Sequence, residues 1–198
     1  MANETELKYA PPAGFSAQAF FDGEDIAPFR GEIKHIDMHT DYLDTRTGAA
    51  KRLGVTLRRR FENGASVIYA KCSKSADGAL SVRGEWSEIS NDIQNAAALL
   101  AKKGAPTESL AGLALEICAT VSFHRVECLV TPHSGFSFML SYDEGHFGMD
   151  TPFCEVELEL IRGSTDELVL FGERLAEKYS FSPEPRSKYA RALAASVK

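Results

Sequence analysis

No two of the four cysteines, Cys72, Cys118, Cys128 and Cys154, stand in a Cys-x-x-Cys pair, and their spacing suits no zinc site. Reduced, partly buried thiols in a cytoplasmic protein are therefore expected. No apolar run approaches the roughly 20 residues with which a helix crosses a bilayer. The first residues are polar and acidic and do not read as a secretory signal. Positive charge is in deficit. The formal net charge is −6, which excludes a global basic field for nucleic acid and leaves only local clusters such as Arg58-Arg59-Arg60. Strands and helices do not alternate, so a parallel sheet is not expected. Internal repeats and low-complexity stretches are also missing. With 198 residues, of which 44% are hydrophobic, the chain can build one domain with a sizeable core, and a single domain over 1–198 is expected.

What is present is strand and hairpin punctuation. Residues 3–9, 35–44, 53–62, 65–73, 79–89, 117–131, 134–143 and 153–161 read as extended. Asn63-Gly64 and Asp77-Gly78 supply hairpin signals because such turns need positive φ. Gly48 marks a turn, and Glu144-Gly145 reads as a tight turn leading to another short strand. Helices are expected at 91–103, with Asn91 as cap and Ile93, Ala96, Ala97 and Leu100 as an apolar stripe, and at 107–113, 165–179 and 187–196. Residues 10–34 are broken by proline and glycine, with room for a short helix at 16–21.

Charge follows the two-residue period of a strand. Glu4, Glu6 and Lys8 share one face of the first strand, and Glu155, Glu157 and Glu159 share one face of the last. Arg58 and Arg60, Lys71, Arg83 and Glu85, Arg125 and Asp143 fall in the same phase on their own strands. The opposite phase is mostly apolar: Leu7, Leu57, Phe61, Ile68, Val156, Leu158 and Leu160. Any one of these charged rows is compatible with a solvated strand face, and Arg58-Arg59-Arg60 alone is compatible with surface charge. The agreement of phase across the strands argues otherwise. The apolar faces of helices 91–103 and 165–179 must be buried, and the apolar face of the sheet is the available partner. About eight antiparallel strands close into a barrel, which then turns its charged face inward. Two unit charges about 4 Å apart interact by about 4 kcal/mol at an effective dielectric near 20, so crowded carboxylates need a cation between them. Arginine and lysine suit phosphate oxygens, and carboxylates suit Mg²⁺ or Mn²⁺. The scattered histidines, His35, His39, His124, His133 and His146, read as structural or surface residues. His124 and Trp86 lie out of phase and should face away from the channel.

In their order and spacing these motifs resemble the CYTH domain of the triphosphate tunnel metalloenzymes. Glu4-Thr5-Glu6-Leu7-Lys8 is similar to the family's E-x-E-x-K signature. Tyr42-Leu43-Asp44-Thr45, Gly54-Val55-Thr56-Leu57-Arg58-Arg59-Arg60, Arg83 and Glu85, Phe123-His124-Arg125, Tyr142-Asp143-Glu144-Gly145, Cys154-Glu155-Val156-Glu157-Leu158-Glu159-Leu160 and Ser187-Lys188-Tyr189 are similar to its later motifs. The resemblance implies an α+β fold, an eight-stranded antiparallel β-barrel (tunnel) with flanking helices. It implies that Lys8, Arg58, Arg60, Lys71, Arg83, Arg125 and Lys188 bind the phosphates. Glu4, Glu6, Asp143, Glu157 and Glu159 would hold one or two Mg²⁺ or Mn²⁺ ions. Glu157, Glu159 and Glu85 would serve catalysis, Glu85 by supporting a basic neighbour or a metal-bound water.

The expected activity is metal-dependent hydrolysis of a phosphoanhydride bond in a small-molecule triphosphate, inorganic triphosphate first and thiamine triphosphate next. A class IV-type adenylate cyclase is the runner-up. Members with that activity often carry a histidine–aromatic pair before the first motif, where this chain has Met1-Ala2-Asn3. A non-catalytic polyphosphate or nucleotide binder would gain nothing from the carboxylates of the last strand. No nucleic-acid or membrane partner is expected, and the protein should be a monomer or homodimer.

Overall fold

The structure is a computed structural model that describes residues 2–62 and 64–196, with the backbone alone for Ala2, Asn3, Ser73 and Lys74. In chain order the elements are β1 (Ala2–Ala10), α1 (Ala17–Phe21), β2 (Lys34–Asp44), α2 (Ala49–Arg52), β3 (Val55–Glu62), β4 (Ala65–Asp77), β5 (Leu80–Ile89), α3 (Ala96–Ala101), a 3-10 turn (Glu108–Leu110), β6 (Glu116–His133), β7 (Phe136–Phe147), β8 (Thr151–Arg162), α4 (Thr165–Tyr179), β9 (Ser182–Pro183) and α5 (Lys188–Ala195). The sheet order is β5-β4-β3-β2-β6-β7-β8-β1-β9, and β1 also pairs with β5. Eight antiparallel strands therefore close on themselves, as the alternation of charge predicts. Among the described residues no helix is long and apolar enough to cross a membrane.

The apolar phase points outward and is covered by helices. Leu7 and Tyr9 of β1, Phe138 and Leu140 of β7, and Val156 and Leu158 of β8 pack with Phe20, Phe21, Leu168, Phe171 and Leu175. Leu43, Leu57, Ile68, Ala70 and Trp86 pack with Ala96, Ala97 and Leu100. α4 begins on a reciprocal cap: Ser164 Oγ accepts from Glu167 N at 3.2 Å, and the Glu167 carboxylate accepts from Ser164 N at 2.8 Å. It can lie close to β1 because residue 172 is glycine. A Cβ there would meet Leu7 Cδ1 at 2.4 Å.

One half of the barrel interior (the bore) is filled. Ile36, Met38 and Tyr42 of β2, Val121 and Phe123 of β6 and Phe147 of β7 pack there with Ala192 of α5, flanked by Phe153. α5 thus stoppers one side of the bore and leaves the charged half open.

Two local expectations change, at Glu144-Gly145 and at Asn91, and the structure adds detail at Gly48 and Pro183. β7 runs through Glu144-Gly145 without turning. Gly145 is needed there because a Cβ would lie 2.1 Å from Ser122 O and 2.5 Å from Phe123 Cα, where β6 and β7 press together. α3 starts at Ala96, because the Asn91 side chain accepts from Arg59 Nη1 at 2.9 Å and caps nothing. The Gly48 turn opens α2, whose first amides at Ala50 and Lys51 donate to the Asp44 carboxylate at 2.8 and 3.1 Å. Pro183 joins the two-residue edge strand β9 against Tyr9. Of the Asn63-Gly64 turn, Asn63 lies outside the described residues, and Gly64 takes φ +79°.

Candidate active site

The open half of the bore is a cavity of about 520 Å³. Its wall carries Glu4, Glu6 and Lys8 from β1, Arg58 and Arg60 from β3, Lys71 from β4, Arg83 and Glu85 from β5, Arg125 from β6, Glu157 and Glu159 from β8, and Arg186 and Lys188 from the chain leading into α5. Among the described residues eight cationic and five carboxylate side chains thus line it, an excess of positive charge inside a chain whose formal net charge is −6. The register across the closure pairs Glu6 with Glu159 and Lys8 with Glu157, so the first and last acidic strands do meet.

Part of this charge is neutralised internally. Arg125 grips Asp143 with two contacts of 2.7 Å and reaches Glu157 at 2.7 Å. Lys188 touches Asp143 at 2.7 Å and Glu157 at 3.0 Å, and it also pairs with Glu155, as does Arg191. Lys71 bonds Glu4 at 2.6 Å and Glu85 at 3.2 Å, and Arg58 lies 3.8 Å from Glu85. Arg83 lies 3.1 Å from Glu6.

The remainder is not neutralised. Among the described residues no carboxylate lies within ion-pair distance of Arg60 or Lys8. The Arg60 Nε and Arg58 Nε atoms are buried without hydrogen-bond acceptors. Burial, with Arg58 and Arg125 alongside, pushes the Arg60 guanidinium down to about 10. Burial pushes the Lys8 ammonium down to about 8 against the pull of Glu157 and Glu6. The Tyr69 ring supports both arginines, 4.8 Å from Arg58 and 5.5 Å from Arg60. The carboxylate side has its own deficit. Glu6 Oε1 is buried without a hydrogen-bond donor. Glu159 has neither a hydrogen bond nor an ion pair among the described residues. Burial, together with Glu4, Glu85 and Glu6, pushes it up to about 7. Burial and the neighbouring Glu157 and Glu4 raise Glu6 as well. Glu4 and Glu157 go the other way: burial would raise each, but Lys71 holds Glu4 below its usual range, and Lys188 and Arg125 hold Glu157 well below.

A sequence model of the CYTH domain matches residues 2–193. The chain belongs to the CYTH family. Solved structures share its fold. One, from Hippeastrum, is described as a candidate adenylyl cyclase with a dominant triphosphatase activity; it is 19% identical over 97% of this chain and 96% of its own, with a TM-score of 0.72. A Pyrococcus horikoshii protein is 20% identical over 97% and 99%, with a TM-score of 0.58. A candidate adenylate cyclase from Bacillus halodurans is 16% identical over 96% and 98%, with a TM-score of 0.57. No curated protein matches the chain.

This CYTH barrel turns every candidate site residue named from the sequence toward the bore, with one difference of depth. Asp143 is fully buried behind Arg125 and Lys188 and does not reach the cavity wall. Glu155, in phase with Glu157, is also fully buried. His124 and Trp86 face outward as expected: His124 is exposed, and Trp86 packs with Ala97 and Leu100. The motifs included Tyr42 without giving it a role, and passed over Tyr69, Arg186 and Arg191. Tyr69 shares the phase of Lys71, which was a usable signal. Arg191 follows Lys188 by three residues and so shares its helix face.

Proposed function

We propose that this CYTH protein hydrolyses a phosphoanhydride bond of a triphosphate, inorganic triphosphate in preference to thiamine triphosphate, with Mg²⁺ or Mn²⁺ as cofactor. One observation carries this reading: among the described residues the cavity holds cations without acids, Arg60 and Lys8, a carboxylate without a base, Glu159, and a second carboxylate, Glu6, that has Arg83 at 3.1 Å but lies against Glu157 and Glu4. Unpaired buried charge is costly. An anion alone would leave the carboxylates unmet, and a metal alone would leave the arginines unmet. A polyphosphate bound together with a divalent ion meets both.

The donor set fits such an ion, because oxygen ligands suit Mg²⁺ and Mn²⁺. Glu4, Glu6 and Glu159 would hold it, with Glu157 beside them; Asp143, gripped by Arg125 and Lys188, would orient those two cations instead. When bound, the ion would neutralise phosphate charge and lower the pKa of a water. Arg58, Arg60, Arg83 and Arg125 would bind phosphate oxygens as planar forks, and Lys8, Lys71 and Lys188 as point charges. Glu85, between Lys71 and Arg58, would hold both in place. The side chains need supply only positioning and charge stabilisation, so no nucleophilic residue is required. The dominant triphosphatase activity described for the Hippeastrum protein supports this reading.

The test is a phosphate-release screen over inorganic triphosphate, pyrophosphate, ATP and thiamine triphosphate, with and without Mg²⁺ or Mn²⁺, with cyclic AMP measured in the ATP arm. Metal-dependent release from inorganic triphosphate is expected. Release from none of the four with either metal would overturn the proposal, and cyclic AMP as main product would replace it with the cyclase reading.

A further inference from the structure

Outside the bore, four of the five histidines gather on the outer face of three adjacent strands: His35 and His39 on β2, His124 on β6 and His146 on β7. Neither outer apolar cluster includes any of them. The register sets His39 opposite Ser122, Ser122 opposite His146, and Asp37 opposite His124. His39 is already engaged, by Ser122 Oγ at 2.7 Å and Asp41 Oδ1 at 3.0 Å. The other pair on β2 and β6 is different. His35 Nδ1 and His124 Nε2 face each other at 3.2 Å, and the second nitrogen of His124, Nδ1, lies 2.8 Å from Asp37 Oδ1.

The two nitrogens now share one hydrogen bond, with ring centroids 5.4 Å apart; loss of the shared proton and a small turn of both exposed rings convert the pair into a metal chelate. Two imidazole nitrogens 3.2 Å apart, each about 2.0–2.1 Å from one ion, subtend about 100° at it, close to the tetrahedral angle and acceptable in a square plane. Asp37 does what a carboxylate behind a metal-bound histidine does: it accepts from Nδ1–H, so the Nε2 lone pair is left to face the ion. Both histidines are exposed, so the remaining coordination positions are open to water. Imidazole selects Cu²⁺, Zn²⁺ and Ni²⁺, whereas the carboxylates of the bore suit Mg²⁺ and Mn²⁺. We propose that His35 and His124, oriented by Asp37, form a site for a divalent transition-metal ion on the outer wall of the barrel, on the opposite face of the strands from the bore. An ion there ties β2 to β6 and stabilises the folded chain by mass action.

The test uses the full chain, freed of metal, with one equivalent of Cu²⁺. Electron paramagnetic resonance should show splitting from two nitrogens. H124A and H35A should each lose that pattern, D37N should weaken binding about tenfold or more, and H133A should match the parent chain. All four positions are exposed, and circular dichroism checks that each variant is folded. Phosphate release from inorganic triphosphate with Mg²⁺ should be unchanged in H35A/H124A. A two-nitrogen spectrum that survives in H35A/H124A would overturn the proposal. So would an oxygen-only spectrum in the parent chain, which would assign the copper to the carboxylates of the bore.

Discussion

Two groups of carboxylates share one barrel and differ in what neutralises them. Asp143, Glu155 and Glu157 bring carboxylate oxygens within 4.8 Å of one another, yet Arg125, Lys188 and Arg191 interleave them. Among the described residues Glu4 pairs with Lys71, Glu6 pairs with Arg83, and Glu159 meets no base at ion-pair distance. The first group has the geometry of a metal cluster and the charge balance of a structural network; it fastens α5 to the barrel. The second has the deficit that an ion would fill. Both groups crowd their acids, and the second, where charge is left unmet, is the one proposed to take the ion.

The comparison can be broken in four ways. The largest effect is expected at Glu155. Glu155→Ala leaves Arg191 and Lys188 short of a buried partner and should destabilise the fold by about 3–5 kcal/mol in urea unfolding; a loss under about 1 kcal/mol would show that the network does not hold α5. Glu6→Gln, in contrast, should leave the unfolding midpoint equal or higher and reduce metal-dependent phosphate release about a hundredfold, near 3 kcal/mol of transition-state stabilisation. Persisting activity would move the metal away from Glu4, Glu6 and Glu159.

Third is the pH dependence of the metal-free chain. The folded state raises Glu159 from 4.5 to about 7, so the folded state binds this proton more tightly than the unfolded one. Stability from this group is complete below about 4.5 and declines as pH rises to about 7. A decline of about 2 kcal/mol is expected, less than the full shift because the group is partly solvated. Glu159→Gln should remove that part of the slope, and an unchanged slope would mean that Glu159 is neutralised after all. The smallest effect should come from Arg186→Ala. This side chain is 67% exposed and paired to Glu184, so kcat/KM should fall less than about fivefold.

The sequence makes faces legible, because a strand's period of two needs no knowledge of neighbours. Glu4, Arg58, Lys71, Arg125 and Glu157 all declare the bore in this way, and Ser164 with Glu167 declares the start of α4. The sequence does not say which in-phase residue reaches the cavity. Asp143 and Glu6 carry the same signal, and what separates them is where Arg125 and Lys188 arrive from β6 and α5. Gly145 shows a similar limit: after Asp143-Glu144 it reads as a turn residue, while its reason is the backbone of Ser122 and Phe123 on the next strand. Asn91 looks like a helix cap, but Arg59 occupies it from a strand 32 residues away. The outer histidines were unremarkable as a list of positions, and only the pairing of β2 with β6 sets two of them face to face.

The closure of β1 onto β8 also orders the life of a growing chain. β1 can pair with β5 only once synthesis has passed Ile89, and its other edge waits for Thr151–Arg162. Contacts so distant along the chain form slowly. During synthesis, therefore, the strand that carries Glu4, Glu6 and Lys8 offers an unpaired backbone edge until the last strand of the barrel is made, and that edge is the point at which a chaperone would guard the unfinished barrel or a neighbouring chain would trespass on it.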